Sequence, residues 1–151
     1  KNELGNTMDF ELLFSIAGMI AMLGWLLLLV SPKLPDLSDK IGGKLIPAIL
    51  SLGYVLLVLI PSATQSGGGF GTLAEVMQLF TAEQSALAGW VHFLAFDLFI
   101  GGWICATARK EGISFWFVLP CLPLTFMLGP TGLLLFLVIR QFAGKQSTAG
   151  A

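Results

Sequence analysis

Charge is scarce in this 151-residue chain: Asp, Glu, Lys and Arg together make up 11% of it, against about 25% in a soluble domain. So few charged groups cannot cover the surface of a domain this size, which excludes an ordinary water-soluble fold. The charges nearly cancel, eight basic against nine acidic, so no overall field favours nucleic acid or an acidic partner. Histidine occurs once, at His92, which leaves a zinc or haem site within the chain poorly supported. The two cysteines, Cys105 and Cys121, sit inside apolar runs and read as small buried hydrophobes, not as a disulfide framework. Phosphate loop, nucleophile elbow, metal-ligand cluster and internal repeat are all missing. That excludes the common hydrolases and nucleotide enzymes. No cofactor is implied.

What is present is apolar: 56% of the residues are hydrophobic and the mean hydropathy is +0.86. A spanning helix needs about 20 mostly apolar residues, and four runs qualify by eye. Phe10 to Val30 is ended by Ser31-Pro32, because the residue before proline disfavours the helical region. After a polar loop, Lys33 to Lys44, comes Leu45 to Ile60, closed by Pro61 and a flexible Ser66-Gly67-Gly68-Gly69 tract. The third runs from about Leu87 to Ala108 and the fourth from about Ile113 to Ile139. Between the second and third, residues 72–85 place Leu73, Val76, Met77, Leu79 and Phe80 at helical spacing. This stretch is too short to span and suits a helix lying on the membrane interface. The expectation is an all-α integral membrane protein of four transmembrane helices plus that short interfacial helix. It forms one domain over 8–140, with flexible termini at 1–7 and 141–151. No cleavable signal is read at the start, since the first apolar run is too long and leads into a polar loop. Basic residues favour N-out and C-out, five inside against three outside.

Chemistry concentrates in the third span. Asp97 lies near its middle, where an ionised carboxylate costs about 2.5–3.5 kcal/mol. Such a group faces a partner or a wet cavity and is a functional candidate, the plainer reading being a hydrogen bond that holds helices together. His92 is about 7.5 Å away along the axis and about 140° around the helix, so the two share a pocket only if it wraps the helix. A hydrogen-bonded structural histidine is the alternative. Trp90 shares the face of Asp97 or anchors the span at the interface; Trp103 falls somewhat off that face. In the fourth run Pro120, Pro123 and Pro130, with Gly129 and Gly132, free backbone carbonyls that neighbours, water or a ligand must satisfy in lipid. The result is a kinked helix, or a kink that opens a ligand cleft beside Asp97.

The run Gly89-Trp90-Val91-His92-Phe93-Leu94-Ala95-Phe96-Asp97-Leu98-Phe99 resembles the signature of the abscisic-acid-deficient-four-like membrane family. Leu119-Pro120-Cys121 and Gly129-Pro130-Thr131-Gly132-Leu133-Leu134-Leu135 are similar to its second block. Pro32-Lys33-Leu34-Pro35 and Ile46-Pro47 fit less specifically, and the likeness covers about residues 8–140. Plant members are implicated in making neoxanthin from violaxanthin. Without a long plastid-targeting extension this chain looks like a bacterial-type member, expected in the inner membrane. The resemblance implies a carotenoid- or isoprenoid-handling protein, with an acid/base isomerisation that needs neither metal nor redox cofactor. In it Asp97 is the base and His92 the proton donor or orienting group, while Trp90, Phe93, Phe96, Trp103 and Pro130 flank the substrate. Implied partners are membrane lipids, a carotenoid or other isoprenoid, and a homo-oligomer or membrane complex. The competing reading is a non-catalytic subunit that binds pigment or lipid within a larger assembly.

Overall fold

The computed structural model describes residues 9–60 and 68–148, with side chains through 143. Asp9 starts the first helix, α1 (Phe10–Leu29): its carboxylate accepts from the Leu12 amide at 3.0 Å, a cap that satisfies one of the helix's free donors. One narrow face, Ala17, Ala21, Gly24, Trp25 and Leu28, is buried, while Leu12, Met19, Leu23 and Leu26 stay exposed. Small residues at the contact and bulky apolar ones outside are what a lipid-bathed helix needs.

The stretch expected as a polar loop is instead mostly helical. Here α2 (Pro35–Leu37), an eight-residue wide π-helical turn (Ser38–Leu45) and α3 (Ile46–Leu59) run on as one apolar helix of 25 residues. Packing overrides the poor helix propensity of Gly42 and Gly43 in the π-helical turn. Ser38, Gly42 and Gly43 are buried, and Gly43 backs onto Gly102 so closely that a methyl group there would sit 3.2 Å from the Gly102 Cα. Pro61 and the Ser66-Gly67 part of the flexible tract lie outside the described residues, as do residues 1–7.

Thr72 and Glu75 cap α4 (Leu73–Leu79) reciprocally: Thr72 Oγ1 accepts from the Glu75 amide at 3.2 Å, and Glu75 Oε2 accepts from the Gly71 amide at 2.9 Å. A short helix is therefore present where the spacing placed one, but residues 83–85 belong to the next helix. That helix, α5 (Glu83–Lys110), is the centre of the molecule. It packs against α1, α3, the π-turn and the C-terminal segment.

Among the described residues three helices, not four, are long and apolar enough to cross a membrane: α1, Pro35–Leu59 and α5. The fourth run is broken into α6 (Phe115–Val118), α7 (Cys121–Leu128) and α8 (Pro130–Thr148). Gly129 has φ +27°, a conformation that other residues rarely adopt, and Pro130 brings no amide to continue α7. A methyl group at Gly132 would collide with the Thr125 amide and hydroxyl and the Cys121 carbonyl. In a straight helix residues 125 and 132 would stand about 10 Å apart. Arg140 gives the same answer at larger scale. Its Nε donates to the two carboxylate oxygens of Glu111 at 2.9 and 2.7 Å, although a straight helix would separate the two by roughly 40 Å. The segment is a helical hairpin that goes in and comes back, its apolar arms Phe115–Leu128 and Pro130–Ala143 each about 21 Å long and too short to cross a core about 30 Å thick.

Two ion pairs tie one side together, Arg109 to Asp39 and Arg140 to Glu111. The Arg140 guanidinium holds the Glu111 carboxyl below its ordinary pKa. Lys33, Lys40, Lys44, Arg109, Lys110 and Arg140 therefore share this side with the continuing α8, while Asp9, Glu11, Glu75 and Glu83 sit at the other with no basic residue among the described ones. The start of α1 and the end of α8 lie on opposite sides, not on the same side as a fourth crossing would put them. Cysteines placed at Lys40 and Gln141 should thus react with an impermeant maleimide from one face of sealed vesicles, and a cysteine at Leu73 from the other. Labelling of position 141 together with 73 would restore the fourth crossing. The native Cys105 and Cys121 are buried.

Candidate functional site

Asp97 stands near the midpoint of α5, and the hairpin brings its apex there. A methyl group at Gly129 would sit 2.6 Å from Asp97 Oδ1 and 3.3 Å from Oδ2, so only glycine lets the turn approach this carboxyl group. Asp97 is 6% exposed, and its buried Oδ2 has no hydrogen-bond partner among the described residues. Neither ion pair includes it. The last carbonyls of α7 and the first amides of α8 have no intrahelical partners, as at any helix end. Opposite dipole ends therefore converge on the carboxyl group, positive from α8 and negative from α7. Thr125, fully buried beside the apex, is turned away: its hydroxyl donates to the Cys121 carbonyl at 2.8 Å. A buried carboxyl group, short of water and close to the start of α8, has the chemistry to exchange a proton with a ligand.

An apolar groove of about 290 Å³ leads towards the apex between α1 and α7. Trp25 and Phe126 meet edge to face across it at 5.5 Å, with Leu122 and Pro123 along its wall. Phe126 precedes Gly129 by less than one turn. The Trp25 ring lies against Gly101, where a methyl group would be 2.9 Å away, one turn along α5 from Asp97. The sequence singled out Gly129 as part of a kink beside Asp97, but not Trp25 or Phe126. The Gly-Pro step at 129–130 was the available signal, since it marks a turn more often than a kink.

The other expected site residues are dispersed. His92 faces α3, stacked on Phe96 at 4.6 Å and edge-on to Tyr54 at 5.4 Å. It lines a cleft of about 480 Å³ with Phe80, Gln84 and Gly89, closed at the end of α3 by Gln84 Nε2, which donates to the Leu57 and Ile60 carbonyls at 2.6 and 3.0 Å. His92 and Asp97 thus look out on different sides of α5, as their angular spacing required. Trp90 stacks on Phe93 at 5.9 Å and lies 5.6 Å from Phe14, at a wide opening of about 800 Å³ that Asp9, Glu11 and Glu83 make acidic. Trp103 meets Phe136 of α8 edge to face at 5.6 Å and braces the returning arm. Pro130 is the expected substrate-side residue that does reach Asp97's surroundings, as the neighbour of Gly129.

The model of the family described as ABA DEFICIENT 4-like matches residues 12–136, a span that runs from α1 through the hairpin. Neither a curated protein nor a solved structure matches the chain.

Proposed function

The chain belongs to the ABA DEFICIENT 4-like family, and on that premise we propose that it handles a carotenoid or related isoprenoid inside the membrane, with Asp97 as its acid–base group. The observation that carries this reading is the buried Asp97 carboxyl group, whose Oδ2 has no hydrogen-bond partner among the described residues, one helical turn from Gly101, on which the Trp25 ring of an apolar, aromatic-edged groove rests. A polyene suits the Trp25–Phe126 groove by apolar contact and ring packing, and the polar end of the same molecule then reaches the hairpin apex. For an epoxide-bearing end ring the reaction is an isomerisation. Asp97 takes a proton from a polyene carbon, the neighbouring C–O bond opens as a new double bond forms, and the freed oxygen takes up a proton. Atoms and electrons balance within the substrate. Amides of the first turn of α8 favour the oxygen as it gains charge, a role that the remote His92 does not fill.

The basic side faces the cytoplasm in this reading, as the distribution of Lys and Arg favours, which puts the start of α1 outside and the end of α8 inside a bacterial inner membrane. α4, with Leu73 and Met77 exposed, lies on the outer surface. The separation of His92 from Asp97 favours one alternative, a non-catalytic subunit that binds pigment within a larger assembly. The experiment that separates the two is the pigment profile of the protein purified gently from its native membrane, followed by turnover of the pigment found. Bound carotenoid with conversion supports the isomerase, and bound carotenoid without conversion supports the subunit. A preparation with lipid alone overturns both. His92→Gln is expected to leave turnover nearly unchanged, and a loss as deep as that of an Asp97 variant would return His92 to the mechanism.

A further inference from the structure

A second groove, of about 350 Å³, follows the seam between α3 and α5. Lys44, Ala48 and Ser51 form one wall, and Ala95, Phe96 and Phe99 the other. It begins at the basic side, where Gly43 and Gly102 press the two helices together. From Gly102 the lining residues Phe99 and Ala95 lie about 4.5 and 10 Å deeper along the helix axis. The groove is thus cationic at its mouth and apolar and aromatic further in. Its lining includes no carboxylate, and the nearest acidic neighbour along the chain, Asp39, is engaged by Arg109. Lys40 lies one turn before Lys44, and both are exposed.

We propose that this groove seats one anionic phospholipid, its phosphate at Lys44 and an acyl chain between α3 and α5. Charge complementarity carries the choice of occupant. A zwitterionic lipid meets Lys44 with a cation of its own, whereas an anionic headgroup meets a face on which basic side chains outnumber acidic ones. Basic pockets between spanning helices on the cytoplasmic side hold anionic headgroups by this means. The site is separate from the Asp97 apex, which adjoins a different groove on the far side of α5. It therefore stands whether or not the chain turns over a carotenoid.

The test uses the full chain in nanodiscs of phosphatidylcholine with a minor share of phosphatidylglycerol, read by native mass spectrometry. The wild type should retain one phosphatidylglycerol in preference to phosphatidylcholine. Lys44→Gln should lower that retention about fivefold, the equivalent of one lysine at the surface, while Lys33→Gln, on the same side but away from the groove, should not. Ala48→Phe, which leaves the charge alone and fills the groove from an exposed position, should lower retention as well. Equal losses from Lys33→Gln and Lys44→Gln would reduce the effect to a general surface field and overturn the site. Full retention by Ala48→Phe, or no preference for the anionic lipid in the wild type, would overturn it too.

Discussion

Asp97→Asn should lower turnover by about 10²- to 10⁴-fold, the usual contribution of a positioned acid–base group, while the yield of folded protein stays close to that of the wild type. The second half of this expectation comes from the geometry. Amide and carboxyl group have the same shape, the buried Oδ2 makes no hydrogen bond within the described residues, and no cation is left unpaired by the change because neither ion pair involves Asp97. A group held only for structure would behave in the opposite way, since removing one partner of a buried contact strands the other. Purification yield and melting temperature, measured beside turnover, decide between them. If the yield collapses, Asp97 is holding the hairpin against α5, and its acid–base role fails. A folded Asp97→Asn that still converts its pigment at the normal rate would move the chemistry elsewhere in the membrane domain. Asp97→Glu is the informative companion: Gly129 is packed so tightly that a longer side chain has no room to extend, so the restored charge should recover little activity.

The second large effect is structural. Gly132→Ala forces its methyl group onto the amide of Thr125 and the carbonyl of Cys121. Backbone atoms cannot swing aside as the end of a flexible side chain can. Overpacking of this kind costs about 1–3 kcal/mol, and more where nothing yields. At the upper end the melting midpoint should fall by roughly 6–12 °C for a chain of this size. Gly18→Ala is the matched control, because a methyl group there meets nothing within 4 Å and a helical position with that room gains from alanine. Equal midpoints for the two variants would mean that the arms of the hairpin are not in contact. The same variant should also expose position 141 differently to a water-soluble reagent, since the returning arm is held by the contact that the methyl group opens.

Much of this architecture could be read in advance, for reasons that show where such reading stops. Apolar run length located α1, α3 and α5 because lipid imposes a length on any helix that crosses it. The fourth run met the same criterion and still turned back. Length and hydropathy cannot distinguish a crossing from a hairpin of equal apolar content, and the decisive contacts, Gly132 against Thr125 and Arg140 against Glu111, are made across the turn at Gly129-Pro130. The loop expected at 33–44 failed for a related reason. Its polar residues read as a loop, but Gly43 lets α5 approach at Gly102 and Gly42 packs on Gly24, Leu27 and Leu28 of α1. At the site, Asp97 was legible because a carboxyl group inside an apolar run is expensive wherever it points. Its partner surface was not, since Trp25 and Phe126 are ordinary aromatic residues until the hairpin brings them together. His92 illustrates the reverse case: its angular offset from Asp97 already argued against a direct pair, and the structure puts Tyr54 and Phe96 around it instead.

The hairpin also changes what must be moved to build the protein. With the fourth run returning to its own side, the described polar stretches to be exported are the one ahead of α1 and the one between α3 and α5. These carry Asp9, Glu11, Glu75 and Glu83 and, among the described residues, no lysine or arginine. In the proposed orientation each carboxylate travels outward across a membrane that is negative inside, a transfer favoured by about 2.3 kcal/mol per charge for every 100 mV. Every described cation stays where it was synthesised. The energised membrane would thus assist assembly, and insertion into de-energised vesicles should be slower and less uniform in direction.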